Sequence, residues 1–467
     1  MTILRPRRTG GRPGPTRRQL ITGGLGVGLL GLGTATASFA EAARPDPVRS
    51  VTVAYTRSGV REGLDAEAAQ RLPALSRVMP GAADAEPMRR QQEFLSRCDA
   101  WLERTPSSRR ELAVSALLDL WVLSDELPAA VAGWVGPWRY IWPRDTAFVA
   151  VALARVGAVR QAWSQLLHLQ NVQAVDGSFA ARVVPETGLA PDEREPQFDS
   201  LGLVLWAVAE VHALARQNDI SLDLSDMDIL LRRTTRRLLD HTGRGETLPP
   251  VGPDYWEVAE SQVTLGLAGP TLVGMDSLAA LTAVDPGLWD RLGGGFGDVL
   301  PAVDAYAATF ARTFGATGLQ RYPTSGGCDS AAAFLPAAGL VPPPGAGPAA
   351  GARASIYAID ADALVTVWDR LSQPAGGIKP GHGWIIDRSS WTPSTSLMAL
   401  GFARLGMRDR AGQILDWLAE NRTSAGSLPE KISAEGAPVS VAPLAWTAAN
   451  VVIALDELRL SAEDDAS

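Results

Sequence analysis

The chain has 467 residues and a formal net charge of -8, long for one ordinary domain but suited to a helical barrel built as a single body. Lysine occurs only at Lys379 and Lys431, so no lysine patch is available to neutralise phosphates, and the composition argues against a nucleic-acid partner. The four histidines, His168, His212, His241 and His382, show no ligand spacing, and no metal or other cofactor is expected.

At the start, Arg5, Arg7, Arg8, Arg12, Arg17 and Arg18 precede a glycine-rich apolar run over 21–32 and small residues over 34–43. This is the pattern of a signal peptide. Thr16-Arg17-Arg18-Gln19-Leu20-Ile21 resembles a twin-arginine export signal, with candidate cleavage after Ala37 or Ala42. A membrane anchor is the alternative, but the run is short and rich in glycine for a span. Residues 1–42 are therefore read as the signal, and a secreted or cell-envelope protein is expected, with no membrane contact after cleavage. Export in the folded state, which that resemblance implies, would pass Cys98 and Cys328 through a reducing cytoplasm first. Buried free thiols are expected rather than a disulfide.

Residues 43–87 read as an N-terminal extension, with a short β-branched strand over 48–56 and a Pro- and Ala-rich connection. From 88 to 460 apolar residues recur at helical spacing. The spacing predicts helices over 89–104, 109–124, 145–156, 159–170, 200–216 and 226–241, then over 271–283, 299–314, 354–371, 393–405, 408–421 and 443–459. Residues 329–338 read as an extra helix or a buried connector, and 461–467 as an acidic tail. Roughly twelve helices without strand alternation imply an all-α fold of six hairpins closed into an (α/α)6 toroid. An open solenoid is the alternative, and the lack of a fixed-length repeat argues for closure.

Trp134, Trp138, Trp142, Trp256, Trp384, Trp391 and Trp446 fall at or beside helix ends. A toroid presents alternate loops on one rim, where such rings can converge, although each also reads as ordinary core. Trp138-Arg139-Tyr140-Ile141-Trp142-Pro143-Arg144-Asp145 puts flat rings beside charged hydrogen-bonding groups, as a saccharide with hydroxyls and apolar C–H faces requires. Asp145 and Asp199 also read as helix N-caps. Asp176-Gly177-Ser178-Phe179 is a turn in which Gly177 supplies the special backbone conformation. Glu257, behind Trp256, and Glu430, in Ser427-Leu428-Pro429-Glu430-Lys431, form the natural pair for splitting a glycosidic bond, which needs one acid and one base. Taken singly, each also reads as solvated loop surface.

The order of these motifs resembles glycoside hydrolase family 15, the glucoamylase-like enzymes, over roughly 134–460. It rests on Trp142-Pro143-Arg144-Asp145, the turn at Asp176, Gln197 with Asp199, Trp256-Glu257, Leu428-Pro429-Glu430 and Pro443-Leu444-Ala445-Trp446. The resemblance implies an (α/α)6 catalytic domain and an inverting, exo-acting α-glycosidase on an oligo- or polysaccharide, with Glu257 as general acid and Glu430 as general base. Arg144 and Asp145 would hold sugar hydroxyls. Trp138, Tyr140, Trp142, Gln197, Asp199, Trp256, Lys379, Trp391 and Trp446 complete the expected substrate contacts. Inversion needs the two carboxyls about 6.5–9.5 Å apart. Trp256 is expected to supply apolar surface that keeps Glu257 protonated.

The departures bear on the substrate. Family members usually follow Trp-Glu with another acid, where this chain has Val258 and the nearest acid is Glu260. Lys379 stands where glucan-cleaving members often carry Arg, and it cannot fork onto two oxygens. The large β-sandwich ahead of many bacterial barrels is not expected, since too few residues precede Met88. Two other classes stay open. One is a saccharide-binding protein that kept the pocket and lost catalysis. The other is an isoprenoid-cyclase-type (α/α) barrel, weakly suggested by Gln173 with Asp176–Phe179 and by Asp360-Ala361-Asp362.

Overall fold

The computed structural model describes residues 46–81, 84–293, 295–341 and 361–466, the last six of these as backbone. The signal segment 1–42 and Asp360 lie outside the described residues. Two antiparallel strands, β1 (Thr52–Tyr55) and β2 (Arg61–Leu64), come first, with Thr52 opposite Leu64. A short helix, α1 (Ala66–Ala69), follows. The helix expected over 89–104 is divided at Cys98 into α2 (Glu86–Arg97) and α3 (Asp99–Arg104).

Among the described residues, twelve helical elements then alternate between an outer and an inner ring. The outer helices are α4 (Ser107–Ser124), α6 (Val159–Val172), α8 (Asp228–His241), α11 (Leu300–Thr313), α13 (Ala361–Leu371) and α15 (Arg408–Glu420). Inner positions are taken by α5 (Pro143–Arg155), α7 (Asp199–Gln217), α9 (Leu265–Val284), a short segment ending in α12 (Phe334–Ala337), α14 (Thr392–Arg404) and α16 (Ala445–Ala466). A small helix, α10 (Leu288–Leu292), joins α9 to α11. Each inner element packs on the next, and α16 returns to α5, so the ring closes. The architecture is the (α/α)6 toroid.

Burial follows the ring. In α8 the buried set Leu230, Leu231, Thr234, Thr235, Leu238 and Leu239 is a single helical stripe, as expected of a helix with one face to water. In α5 every residue from Pro143 to Ala154 is buried, the mark of a helix surrounded on all sides. Helix α9 is long and apolar enough to cross a membrane, but it lies against α7 and α11 with most of its surface covered. It is a core helix. It begins before the sequence pattern suggested and runs through Pro270.

Three departures from expectation have physical causes. The segment 329–338 is buried and partly helical, but it is a member of the ring and not an addition to it. A 3-10 turn over Ser330–Ala333 and α12 together fill the fourth inner position, and Phe334 packs against Phe148 and Trp446 in the middle of the ring. The N-terminal extension is joined to the barrel, since Val53, Tyr55 and Val78 belong to the main core and Arg77 pairs with fully buried Asp119 of α4 at 2.8 Å. Cys98 and Cys328 are both free thiols, but only Cys98 is buried.

Candidate active site

Because outer and inner helices alternate, the N-termini of all six inner elements share one rim. The motifs on which the saccharide reading rests lie on the loops entering that rim or on the first turns of the inner helices. In ring order α9 is third and α16 sixth, so the loops carrying Glu257 and Glu430 approach from opposite sides.

Glu430 is buried, 2% exposed. Its loop is tied into a small sheet, in which β6 (Lys431–Ile432) pairs with β5 (Ser390–Trp391) and with β7 (Pro438–Val439). Trp138 Nε1 donates to Oε1 at 3.1 Å and Ser440 Oγ to Oε2 at 2.5 Å. Both oxygens therefore accept a hydrogen bond, an arrangement suited to a carboxylate, which only accepts. Ser440 has φ +69°, in the left-handed region that non-glycine residues rarely occupy.

Glu257 shares that feature, with φ +57°. Its turn is set by Asp254, whose carboxylate takes the Trp256 N–H at 2.9 Å and Thr264 Oγ1 at 2.7 Å, while Glu257 N–H donates to the Asp254 carbonyl at 2.8 Å. Such outliers cost roughly 1–3 kcal/mol and persist only where the surroundings over-determine them. Among the described residues, the Glu257 carboxyl meets Arg194 Nη1 at 2.6 Å on Oε2 and Arg144 Nη2 at 3.7 Å on Oε1. The Trp256 ring, from which apolar shielding of Glu257 is expected, carries the Arg321 guanidinium at 3.5 Å and meets Trp384 edge-on.

Arg144 is the hub between the two sides. Nη1 donates to Gln197 Oε1 at 2.9 Å and Asp199 Oδ2 at 3.2 Å, Nε faces Asp145 at 3.4 Å, and the guanidinium lies 5.1 Å from the Trp446 ring. Burial works against its charge, yet Asp199, Asp145 and Glu257 outweigh burial and hold its pKa above the ordinary value. Burial also pushes Asp199 up, to about 6, against the pull of Arg144. The N-cap positions of α5 and α7 are Trp142 and Phe198, so neither aspartate occupies one, and both carboxylates face Arg144.

Beneath the rim lies a second charged cluster that sequence reasoning missed. Arg321, on β3 (Gln320–Tyr322) beside β4 (Ser325–Cys328), meets Asp254 at 3.2 Å and Asp329 at 2.7 Å, and also Glu260. Tyr255 hydroxyl donates to Asp329. Glu260 is thus committed to Arg321 and Tyr322. Arg194 and Trp384 were likewise missed as site residues. No local motif marks an arginine whose partner lies 63 residues away.

The remaining expected residues fall into two groups. Tyr140 and Trp142 bracket the Arg182 guanidinium at 4.4 and 5.3 Å. Trp391 packs edge-on against Trp384 and under the Lys431 ammonium. Lys379 donates instead to the carbonyls of His382 and Trp384 in its own loop, at 3.0 and 3.3 Å, and burial lowers its pKa. Its ammonium fastens that loop. Asp176 bonds Ser178 and pairs with Arg237 on α8, and Gly177, φ +85°, lies where a Cβ would meet the Arg233 carbonyl at 2.4 Å. That turn is structural. Trp142, Trp256, Trp384 and Trp446 are buried, and their indole N–H groups have no hydrogen-bond partner within the protein. Among the described residues, no group of three or more His, Cys, Asp or Glu is arranged to hold a metal.

Searches against known structures find this arrangement of helices repeatedly. A glycosidase matches with a TM-score of 0.55 at 19% identity, covering 80% of this chain and 98% of its own. The glucoamylase from Saccharomycopsis fibuligera matches at 0.56 and 13%, covering 78% and 96%. The fold is glucoamylase-like. A bacterial glucoamylase complexed with acarbose also matches, at 0.57 and 15% identity, over 77% of this chain and 57% of its own. No protein-family model and no curated protein sequence matches the chain. At these identities the glucoamylase-like likeness is one of fold.

Proposed function

We propose that this protein is a glycoside hydrolase acting by inversion, releasing terminal sugars from α-linked glucosides or a related oligo- or polysaccharide. The observation that carries this reading is the placement of Glu257 and Glu430 at opposite inner-helix ends of one rim, with Arg144 between them. Glu257 protonates the departing glycosidic oxygen. Glu430, accepting from Trp138 and Ser440, takes a proton from water, and that water attacks the anomeric carbon from the other face. Arg144 and Asp145 receive hydroxyls of the terminal sugar, and the four unpartnered indole N–H groups offer further donors that a polyhydroxylated ligand would satisfy. A glycosidase of similar fold solved in complex with glucose supports a glucoside in this place. The export motif supports a secreted or cell-envelope enzyme.

Proton NMR of the first product from a glycan panel including starch, isomaltose-type, trehalose and furanoside substrates tests this. Release of the inverted anomer is expected; a retained anomer overturns the mechanism. Glu257→Gln and Glu430→Gln should each fold and lose most turnover.

A second reading has one observation in its favour. The Arg194–Glu257 ion pair favours the ionised form of the acid, as in a saccharide-binding protein that has lost catalysis. Calorimetric binding of a saccharide without hydrolysis over long incubation would select it.

A further inference from the structure

Arg194 lies in the loop before α7, and its contacts run both ways. Nη1 donates to Glu257 Oε2 at 2.6 Å, while Nε faces Asp192 Oδ2 at 3.2 Å. Asp192 Oδ2 also takes Arg182 Nη2 at 2.6 Å, and Arg182 is the guanidinium bracketed by Tyr140 and Trp142. A continuous chain of contacts therefore joins the aromatic loop at Tyr140 and Trp142 to the carboxyl of Glu257.

Among the described residues, three charged side chains bear on that carboxyl or its turn. Arg144 approaches from α5, but its charge is shared with Asp145 and Asp199. Asp254, on the same turn as Glu257, is committed to Arg321, Thr264 and the Trp256 N–H. Arg194 approaches from the loop before α7 and also faces Asp192, which Arg182 shares. Of these two cations, Arg194 is the nearer, at 2.6 against 3.7 Å. Its side chain is also more exposed, 13% against 4% for Arg144.

A cation against a carboxyl favours its ionised form, whereas a general acid must be protonated to act. We infer that Arg194 is a positioning residue that sets the ionisation of Glu257, and that Asp192 is its second seat, drawing the guanidinium off the acid when a leaving group enters. The inference rests on the reading of Glu257 as general acid. It makes Arg194 and Asp192 determinants of the pH range over which the enzyme works.

The sign follows from the role. Activity falls as pH rises through the pKa of the acid, so Glu257 governs the high-pH limb of kcat/KM. Arg194→Gln removes the opposing charge and should move that limb up by about one pH unit or more. Arg194→Lys keeps the charge and should stay near the wild type. Asp192→Asn removes the second seat and should move the limb down. A purely structural role for Arg194 would lower activity at every pH and leave the limb where it is. Coincident limbs for Arg194→Gln and wild type, or an upward shift in Asp192→Asn, overturn the inference. Should Arg194→Gln fail to fold, Asp192→Asn decides alone, an unmoved or raised limb counting against it. Carboxyl ¹³C NMR of glutamate-labelled protein, with the Glu257 signal identified by its loss in Glu257→Gln, reads the same midpoint without substrate. If the wild type hydrolyses nothing, the glycosidase reading fails, and the NMR midpoint still decides on Arg194.

Discussion

Trp138 Nε1 donates to Glu430 Oε1 across 292 residues of sequence. The loop that suggested a sugar grip is therefore also a clamp on the candidate base. Trp138→Phe keeps the ring and removes the donor, and Ser440→Ala removes the donor to the other oxygen. Each is expected to lower kcat by about tenfold or more with a smaller effect on KM, since positioned general bases contribute roughly 10²–10⁴-fold. Steady-state kinetics check this, and unchanged kcat in both variants would remove the clamp from the mechanism.

The Glu430 loop has a second anchor. Asp119 accepts from Arg77, from Ser427 Oγ at 2.7 Å and from the Leu428 N–H at 2.8 Å. Arg77→Met leaves this carboxylate buried without its counter-charge and should destabilise the fold by about 3–5 kcal/mol. Denaturant unfolding measures it. A loss below about 1 kcal/mol, the scale of an exposed pair, would mean that the extension does not brace the loop.

Asp199 gives a pH-dependent stability. Burial raises it to about 6 in the folded protein, above the unfolded value of about 3.9, so the folded state binds this proton more tightly. Its contribution to stability is full below about pH 4 and is lost as pH rises through 6. The Tm of the wild type minus that of Asp199→Asn should therefore fall between pH 4 and pH 6. A flat or rising difference would contradict the assignment.

Helices α7 and α9 meet backbone to backbone. A Cβ on Gly202 would lie 1.8 Å from the Pro270 carbonyl, and one on Gly274 would lie 2.5 Å from the Gly202 Cα. Alanine is intrinsically the better helix residue by about 1 kcal/mol, so Gly202→Ala would stabilise an uncrowded helix. Here the clash should win, with a net loss of about 1–3 kcal/mol, read as a lowered thermal midpoint. A stabilised variant would show that the helices stand further apart.

The fold was legible because helical periodicity is local. Leu230, Leu231, Thr234 and Leu238 announce α8 without any knowledge of its neighbours. Pro270 misled the reading of α9, since proline commonly starts a helix but here lies within the fully buried first half of one. The short inner element at Phe334 had too few residues for a period to register, and only the gap it fills in the ring identifies it. Glu257, Glu430, Arg144 and Trp138 were legible as residue types beside helix starts. Arg194, Arg321 and Ser440 were not, because an ion pair or a hydrogen bond between distant segments leaves no trace in spacing.

The sequence by itself determined the alternation of helices, the loops on which chemistry would lie and the acids able to carry it, since these depend on neighbours within a few residues. Closure of the ring decided the rest. It set α9 opposite α16, turned the Trp256 ring toward Arg321 and Trp384, spent Lys379 on its own loop, and brought Arg144 and Arg194 to Glu257. Those outcomes depend on which surfaces meet once the last inner helix packs against the first, a long-range condition that no local pattern encodes.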